Sequence, residues 1–441
     1  MKDMNGRFGA LCVALVLAAT AACAPSAPSA PGPSVKDLCA PRALDPTQAV
    51  LHANLQARLE STTTEAMTQQ GKPGGFAGFI MPALLDIYEA TGDTAYLDRF
   101  VTLGDRVLAA RDDKAGLRDY RGRSAAQWST TVFNAQGSRP ISFLIDDARL
   151  VAPLARFAAL TAQRPCLQGL RQGERAFDAI ARTYVLAAHE TLAFHATENW
   201  RAETAQGVHI GYFVTSHDAD FIAPDMPGKP VPLNYQAMAG LAYLYMYKAT
   251  GEDAYAERAT RLSNFIQLEF VDAAAPNTLT WPYWPKMRYA PGRGWAVADT
   301  SRFSYHQPDD LNHASVTIDF LTAMAADGVG GVRLQDLQKI TNAFHKLVHN
   351  KSPVPIYMDG SGPPAGRYAS LYGRMASLAA FQPEIWEPVC SVVLRERGFG
   401  EAMYPPEEDQ RARAIASVAR LLLTAPMRQG AKASLADCVA D

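Results

Sequence analysis

The sequence lacks the features that mark membrane-spanning, nucleic-acid-binding and metal-binding proteins. After residue 19 it has no apolar stretch long enough to cross a bilayer, which predicts a soluble mature body. Its 42 basic and 44 acidic residues give a net charge of -2, so no basic excess indicates a nucleic-acid partner. It also has no His-Glu-x-x-His pattern, no clustered cysteine pairs and no acidic calcium loop. We therefore expect neither a metal nor another cofactor.

The N-terminus has the order of segments found in bacterial export signals. Lys2 and Arg7 precede an apolar run, residues 8–19, that is too short to span a bilayer, and small residues follow up to Cys23. This order resembles a lipoprotein signal, although Thr20 stands where a Leu or Val is usual. We expect residues 1–22 to be removed and acylated Cys23 to anchor the protein in a lipid membrane of the bacterial cell envelope, on the periplasmic or cell-surface side. The alternative is a soluble periplasmic protein.

Cysteines are few, and their number is even once the signal is removed. An even number in an oxidising compartment permits disulfides. A bridge from Cys39 to Cys438 would tie the two ends of the mature chain together, and the alternative is a set of buried free thiols. The four cysteines concerned are Cys39, Cys166, Cys390 and Cys438.

An internal repeat indicates the architecture. Residues 88–99 and 247–258 are identical at seven of twelve positions. In each copy an apolar helix, residues 79–89 or 237–248, ends at a glycine that can take a left-handed conformation, Gly92 or Gly251. A second helix with a single apolar stripe follows at once, which predicts a helical hairpin.

Weaker copies of the same plan extend the pattern to about six hairpins. The predicted pairs are 147–160 with 167–181, 311–326 with 334–348, 367–381 with 385–395, and, across the termini, 49–60 with 407–424. Residues 23–45 are rich in Pro, Ser and Ala and predict a tether, residues 46–430 predict the helical domain, and residues 431–441 a tail. Such hairpins can stack into an open solenoid or close into a ring, and the more apolar first helix of each pair favours the inner layer of a ring.

The recurring Ala-Thr-Gly-Asp/Glu turn followed by Ala-Tyr resembles the six-hairpin (α/α) toroid enzymes that act on carbohydrates. That superfamily includes glycoside hydrolases, polysaccharide lyases and uronyl epimerases. The resemblance implies an all-α fold, an (α/α)6-type toroid with long rim loops, to which the sequence adds a short β-hairpin around residues 211–214. It also implies a poly- or oligosaccharide partner, and a cleft where the inner helices begin. Long loops are expected at residues 111–142, 190–233 and 271–310.

Acidic and aromatic residues cluster at the expected starts of the inner helices. Asp310 and His313 are three apart on one helix face, where a carboxylate can set the basicity of an imidazole. The alternative is that Asp309 or Asp310 only caps the helix, and the same alternative applies to Asn234 and to Asp146 with Asp147. The candidate catalytic residues are Asp310, His313, Tyr305, Asn234 and Asp146.

Aromatic residues in the loops provide candidates for sugar binding. Trp281, Tyr283 and Trp284 lie within four residues and form either a platform on which sugar rings stack or a plug that seals the toroid. His217 lies in a loop that can also be an ordinary polar turn. The candidate binding residues are Trp281, Tyr283, Trp284, Trp128, His217 and Arg367.

Three functions agree with this pattern. The first expectation is a polysaccharide lyase that cleaves a uronic-acid glycan by β-elimination, for which Asn234, His313 and Tyr305 supply suitable side chains. The second is a glycoside hydrolase that uses two carboxyl groups, one from Asp146 or Asp147 and one from Asp309 or Asp310. The third is a glycan-binding lipoprotein without catalytic activity.

Overall fold

Long helices dominate the computed structural model, which describes residues 39–68, 73–131, 140–216, 228–290, 294–297, 307–397 and 408–427. In this part of the chain the helices are α1 (Pro46–Thr68), α2 (Pro73–Thr91), α3 (Ala95–Ala109), α4 (Asp112–Ala115), α5 (Leu144–Gln163), α6 (Pro165–Gln168), α7 (Phe177–Asn199), α8 (Leu233–Thr250), α9 (Asp253–Leu268), α10 (Leu311–Ala326), α11 (Leu334–Ala343), a 3₁₀ helix (Gly366–Ala380), α12 (Trp386–Arg397) and α13 (Glu408–Thr424). A π-helical turn, Phe344–His349, prolongs α11, and short 3₁₀ turns lie at Pro383–Ile385 and Ala425–Met427.

The strands form antiparallel pairs in the connections between helices. The pairs are β1 (Arg171–Gln172) with β2 (Arg175–Ala176), β3 (Trp200–Ala205) with β4 (Val208–Phe213), β5 (Val271–Asp272) with β6 (Leu279–Thr280), and β7 (Met287–Ala290) with β8 (Gly294–Val297). The longest pair joins Trp200 to Phe213 and Ala205 to Val208. It includes most of residues 211–214, where the sequence predicted a short hairpin.

Six helices close into an inner ring. In chain order they are α2, α5, α8, α10, the 3₁₀ helix and α13; each packs on the next, and α13 packs on α2. The outer layer consists of α3, α7, α9, α11, α12 and α1. Because α1 pairs with α13, the two ends of the domain complete the sixth hairpin. The prediction of an all-α (α/α)6 toroid is therefore confirmed, and the open solenoid is excluded.

The repeat is the turn between inner and outer helices. Gly92 and Gly251 have φ values of 72° and 74°, and their N–H groups donate 2.7 Å hydrogen bonds to the carbonyls of Tyr88 and Tyr247. Glycine is the residue that adopts the left-handed conformation at this position with little cost in free energy. Since inner and outer helices alternate in direction, all inner helices begin at one end of the ring, which we call the mouth.

Burial explains the apolar inner helices. Along α8 almost every residue from Leu233 to Leu244 is buried, because the helix contacts neighbours in its own ring and the outer layer. Nonetheless, no helix in the described part of the chain is long and apolar enough to cross a membrane.

One predicted helix is displaced in the structure. The sequence predicted a helix over residues 167–181, whereas α7 begins at Phe177 and continues to Asn199. The intervening chain turns back through β1 and β2, with Gly173 at a φ of 58°. About half of the loop expected at residues 190–233 is therefore occupied by the end of α7 and by strands β3 and β4.

The disulfide also differs from the prediction. Cys39 is bonded to Cys166, with a Cα–Cα distance of 6.2 Å, and Cys390 is a buried free thiol. The bridge thus fixes the segment before α1 to the start of α6 rather than to the C-terminus. The expected Cys39–Cys438 pair is wrong because Cys39 already has a partner; Cys438, like Cys23, lies outside the described residues.

Candidate functional site

Two consecutive aspartates occupy the first turn of α5, at the mouth. Asp147 is fully buried and its carboxylate is held by three groups. The backbone N–H of Trp128 donates to Oδ1 at 2.9 Å, the Ser142 hydroxyl donates to Oδ2 at 2.6 Å, and His195 Nε2 lies 2.7 Å from Oδ2. Hydrogen bonds of this kind stabilise an ionised carboxylate away from water. These three contacts therefore fix the orientation of the Asp147 carboxyl group at the edge of the site.

Asp146 has a different environment from its neighbour. Its side chain is half-buried in the mouth and no described group donates a hydrogen bond to it. Burial raises the pKa of Asp146 to about 6; the positive charge of Arg149 opposes this rise and the negative charge of Asp147 adds to it. A carboxyl group with this pKa exchanges a proton near neutral pH, which suits a general acid.

Two tyrosines connect Asp146 with the opposite side of the mouth. Tyr235, in the first turn of α8, lies near Asp146 and is hydrogen-bonded to Tyr283. Burial raises the pKa of Tyr235 to about 12 and raises that of Tyr283 further. Both phenols therefore keep their protons and can donate hydrogen bonds. The Tyr283 ring lies 4.8 Å from the ring of His313.

Asp310 and His313 form the contact that their spacing predicts. Asp310 caps α10: Oδ1 accepts the backbone N–H of His313 at 3.0 Å, and Oδ2 lies 2.6 Å from His313 Nδ1. The pair is only partly exposed, beside Tyr283. Capping and imidazole orientation are therefore combined in one aspartate, so the two sequence interpretations do not exclude each other.

Asp309 is buried beneath this pair. Its Oδ2 accepts a 2.8 Å hydrogen bond from the indole N–H of Trp281, while Oδ1 has no partner among the described residues. Burial, with the negative charge of Asp310, raises the pKa of Asp309 well above its ordinary value, which favours the protonated form of this carboxyl group. One ligand atom from each of Asp309, Asp310 and His313 lies within 4.8 Å of the others.

The aromatic candidates separate into buried and accessible residues. Trp281 is fully buried, and Trp128 is almost fully buried with its indole N–H bonded to the carbonyl of Val107 at 2.8 Å. Neither ring can stack on a sugar, which corrects the role expected for both. Tyr283 and Trp284 are half-buried and their rings meet edge to face at 5.7 Å. Only these two members of the aromatic cluster remain as a platform.

A cavity of about 260 Å³ lies beside the aspartate pair. Its lining includes Ser142 and His195, which bind Asp147, and the aromatic residues Tyr235, Tyr283 and Trp284. A concave space with a few polar groups on an aromatic wall is typical of a small-ligand site. The sequence offered little signal for His195 or Ser142, since both become neighbours of Asp147 only when α7 and the loop before α5 meet.

Asn234 does not cap α8, so the capping role suggested for it by the sequence is wrong. Pro232 occupies the N-cap of α8, and both amide atoms of the fully buried Asn234 lack hydrogen-bond partners among the described residues. Contact with a ligand carboxylate, its other expected role, is inconsistent with this burial. Tyr305 and His217 lie outside the described residues, and Arg367 begins an inner helix but its side chain lies outside the described set.

Comparisons with known proteins agree with this fold. No family model and no curated protein matches the sequence. Among solved structures, the chain is similar to an inactive variant of the α-1,6-mannanase of Salegentibacter sp. HEL1_6, a glycoside hydrolase of family 76, in complex with α-1,6-mannotriose. The TM-score is 0.52 at 14% identity, over 85% of this chain and 99% of that one. The Lin0763 protein of Listeria innocua gives a TM-score of 0.51 at 11% identity, over 87% and 97%.

These similarities establish the architecture. The chain shares the six-hairpin (α/α) toroid fold of these solved structures, as the repeat turn predicted. Its reaction has to be argued from the site.

Proposed function

We propose that this protein is a glycoside hydrolase whose reaction depends on Asp146 and Asp147. The observation that carries the proposal is the contrast between the two neighbours: Asp146 is half-buried with a pKa of about 6, and Asp147 is held by three hydrogen-bond partners. Glycoside hydrolysis requires one carboxyl group that gives a proton and another that stays ionised.

Each aspartate then has one role. Asp146 protonates the glycosidic oxygen as its bond to the sugar breaks. Asp147 is buried and does not touch the sugar; its carboxylate orients Ser142 and His195, which line the cavity where the positive charge develops on the sugar ring. Water supplies the hydroxyl that joins the sugar, and its remaining proton restores Asp146. Tyr283 and Trp284 provide the surface on which the ring rests, since both line the adjoining cavity.

The related structures support a hydrolase over the lyase expected first. Two of them are inactive variants of the α-1,6-mannanase in which two consecutive aspartates are replaced, bound to α-1,6-mannotriose or α-1,6-mannotetrose. This chain has consecutive aspartates at the start of an inner helix. In addition, Asn234, which a lyase would need to neutralise a substrate carboxylate, is fully buried.

Product analysis tests the proposal. The protein is incubated with α-1,6-mannan and with a panel of other neutral and acidic glycans, and both reducing ends and ultraviolet absorbance are measured. A hydrolase releases reducing ends without the absorbance of an unsaturated product. Asp146→Asn is expected to lower the rate by roughly 10²- to 10⁴-fold, whereas Asp178→Asn, an exposed change on α7, should leave it unchanged. A product that absorbs ultraviolet light contradicts the proposed hydrolase. So does a protein that binds glycans of the panel but cleaves none of them.

We also propose that the protein is exported and anchored through acylated Cys23. The Cys39–Cys166 disulfide supports an oxidising compartment, where such bridges persist. Growth of expressing cells with a labelled fatty acid should label the wild type, and Cys23→Ser should abolish the label. An unlabelled wild-type protein in the soluble periplasmic fraction would favour the secreted alternative.

A further inference from the structure

A second cavity, of about 310 Å³, lies along the axis of the inner ring. All six inner helices contribute to its wall, which contains four arginines: Arg149, Arg156, Arg374 and Arg420. Glu89 and Asp319 also line it, and Asp86 contacts two of the arginines. The wall thus combines apolar residues with a group of charged side chains that belong to different helices.

Three carboxylates satisfy three of these arginines. Asp86 pairs with Arg156 at 2.6 Å and with Arg420 at 2.8 Å. Asp319 pairs with Arg420 and Arg374, each at 2.9 Å. Glu89 pairs with Arg156 and, outside the cavity wall, with Arg164. Together, the four arginines of the wall and these three carboxylates carry one more positive charge than negative charges.

The surplus charge is Arg149. Its stem packs on Gly78, and its guanidinium carbon lies 5.3 Å from the centre of the Phe79 ring. Among the described residues, no acceptor takes a hydrogen bond from its guanidinium. Arg413 lies over the same ring at 4.8 Å, so a second positive charge is close by. Burial lowers the pKa of Arg149; Asp146 opposes this effect and Arg413 strengthens it.

We propose that Arg149 binds an oxyanion carried by the glycan substrate, such as a uronate carboxylate or a phosphate ester. Arg149 is half-buried and has no protein hydrogen-bond acceptor among the described residues. With a like charge nearby, such a guanidinium gains from an anion, because the anion both accepts its hydrogen bonds and compensates its charge. Arg149 lies one helical turn after Asp146, so the bound anion is adjacent to the proton donor. This inference rests on the proposed function and narrows its substrate to an acidic glycan.

Calorimetric titration with matched ligands tests the inference. A β-1,4-linked mannuronate trisaccharide is compared with β-1,4-mannotriose, and mannose 6-phosphate with mannose, so that the members of each pair share their linkage and differ in the anion. A charge-assisted hydrogen bond corresponds to a tenfold or larger change in affinity. We expect at least one anionic ligand to bind about tenfold more tightly than its neutral partner, with a preference that falls as salt is added. The pair that shows the preference identifies carboxylate or phosphate.

Two variants assign the preference to Arg149. Arg149→Met keeps the stem that packs on Gly78 and removes the charge, so it should abolish the preference, whereas Arg149→Lys should retain part of it. Arg182→Met, a change of an exposed arginine on α7, is the matched control. Far- and near-ultraviolet circular dichroism checks that each variant is folded; should Arg149→Met not fold, the wild-type and Arg149→Lys titrations still decide.

The outcomes separate this inference from the proposed function. Equal affinity within both ligand pairs, or an unchanged preference in folded Arg149→Met, overturns anion binding at Arg149. Cleavage of neutral mannan that requires Asp146, without any anionic preference, overturns only this inference. Tight anionic binding without cleavage overturns only the hydrolase.

Discussion

Replacement of Asp146 by asparagine should stabilise the protein at neutral pH and not at acidic pH. The pKa of Asp146 is raised from the ordinary 3.8 to about 6 because the charged form is buried. In the unfolded chain the group ionises near its ordinary value, so the folded state binds the proton more tightly. Ionisation of Asp146 therefore costs stability as the pH rises from about 4 to about 6, and the full cost applies above pH 6.

The size of this effect follows from the two pKa values. A difference between 3.8 and about 6 corresponds to about 3 kcal/mol, an order-of-magnitude figure. Asparagine is neutral and nearly isosteric, so Asp146→Asn should raise the free energy of unfolding by up to that amount at pH 7 and by little at pH 4. Urea unfolding of wild type and variant across this pH range measures the difference.

The neighbouring aspartate provides a control of opposite sign. Asp147→Asn leaves Ser142, His195 and the N–H of Trp128 around an amide in place of a carboxylate. We expect this variant to lose about 2 kcal/mol at pH 7, because charge-assisted hydrogen bonds are lost. A difference in unfolding free energy between wild type and Asp146→Asn that stays constant with pH would refute this prediction.

Three further predictions concern the site and its support. The pH profile of kcat/KM should fall above about pH 6 as Asp146 loses its proton, and Asp146→Asn should lack this limb; an unaltered limb in the variant would exclude Asp146 as its source. Cys39→Ser should lower stability by about 4 kcal/mol, because the bridge spans 127 residues, and reductant should affect only the wild type in unfolding experiments. Asn234→Leu should raise the unfolding free energy by about 1 kcal/mol, since it removes two unpaired buried polar atoms; a loss would indicate a partner for the amide.

The helices were predictable because their information is local. Gly92 and Gly251 set the same left-handed end with the same backbone bonds, and a repeated turn identifies a repeated hairpin without knowledge of distant contacts. The predicted bounds of α10, residues 311–326, agree with the structure, because Asp310 caps the helix from its own sequence neighbourhood. Both signals lie within a few residues of the feature they determine.

The parts that failed depend on contacts between distant segments. Trp281 and Trp284 are three residues apart, yet one is bonded to Asp309 in the core and the other lines a cavity. Their order along a loop contains no signal for this difference. The bridge from Cys39 to Cys166 and the contact between His195 and Asp147 likewise join segments that only the closed ring brings together.

The ring also explains why polar chemistry concentrates on its axis. Six helices around one axis leave a cavity at their common centre, and arginines and carboxylates from different helices project into it among apolar residues. Paired charges such as Asp319 with Arg374 and Arg420 tie neighbouring inner helices together. The carboxyl group that acts on Arg149 is that of Asp146, on the same helix, so this interaction adds no such tie. The charge of Arg149 therefore lowers the stability of the ligand-free protein, and a bound anion would offset this cost. That is the physical reason to seek the substrate's charge at Arg149 and the bond that is cleaved beside Asp146.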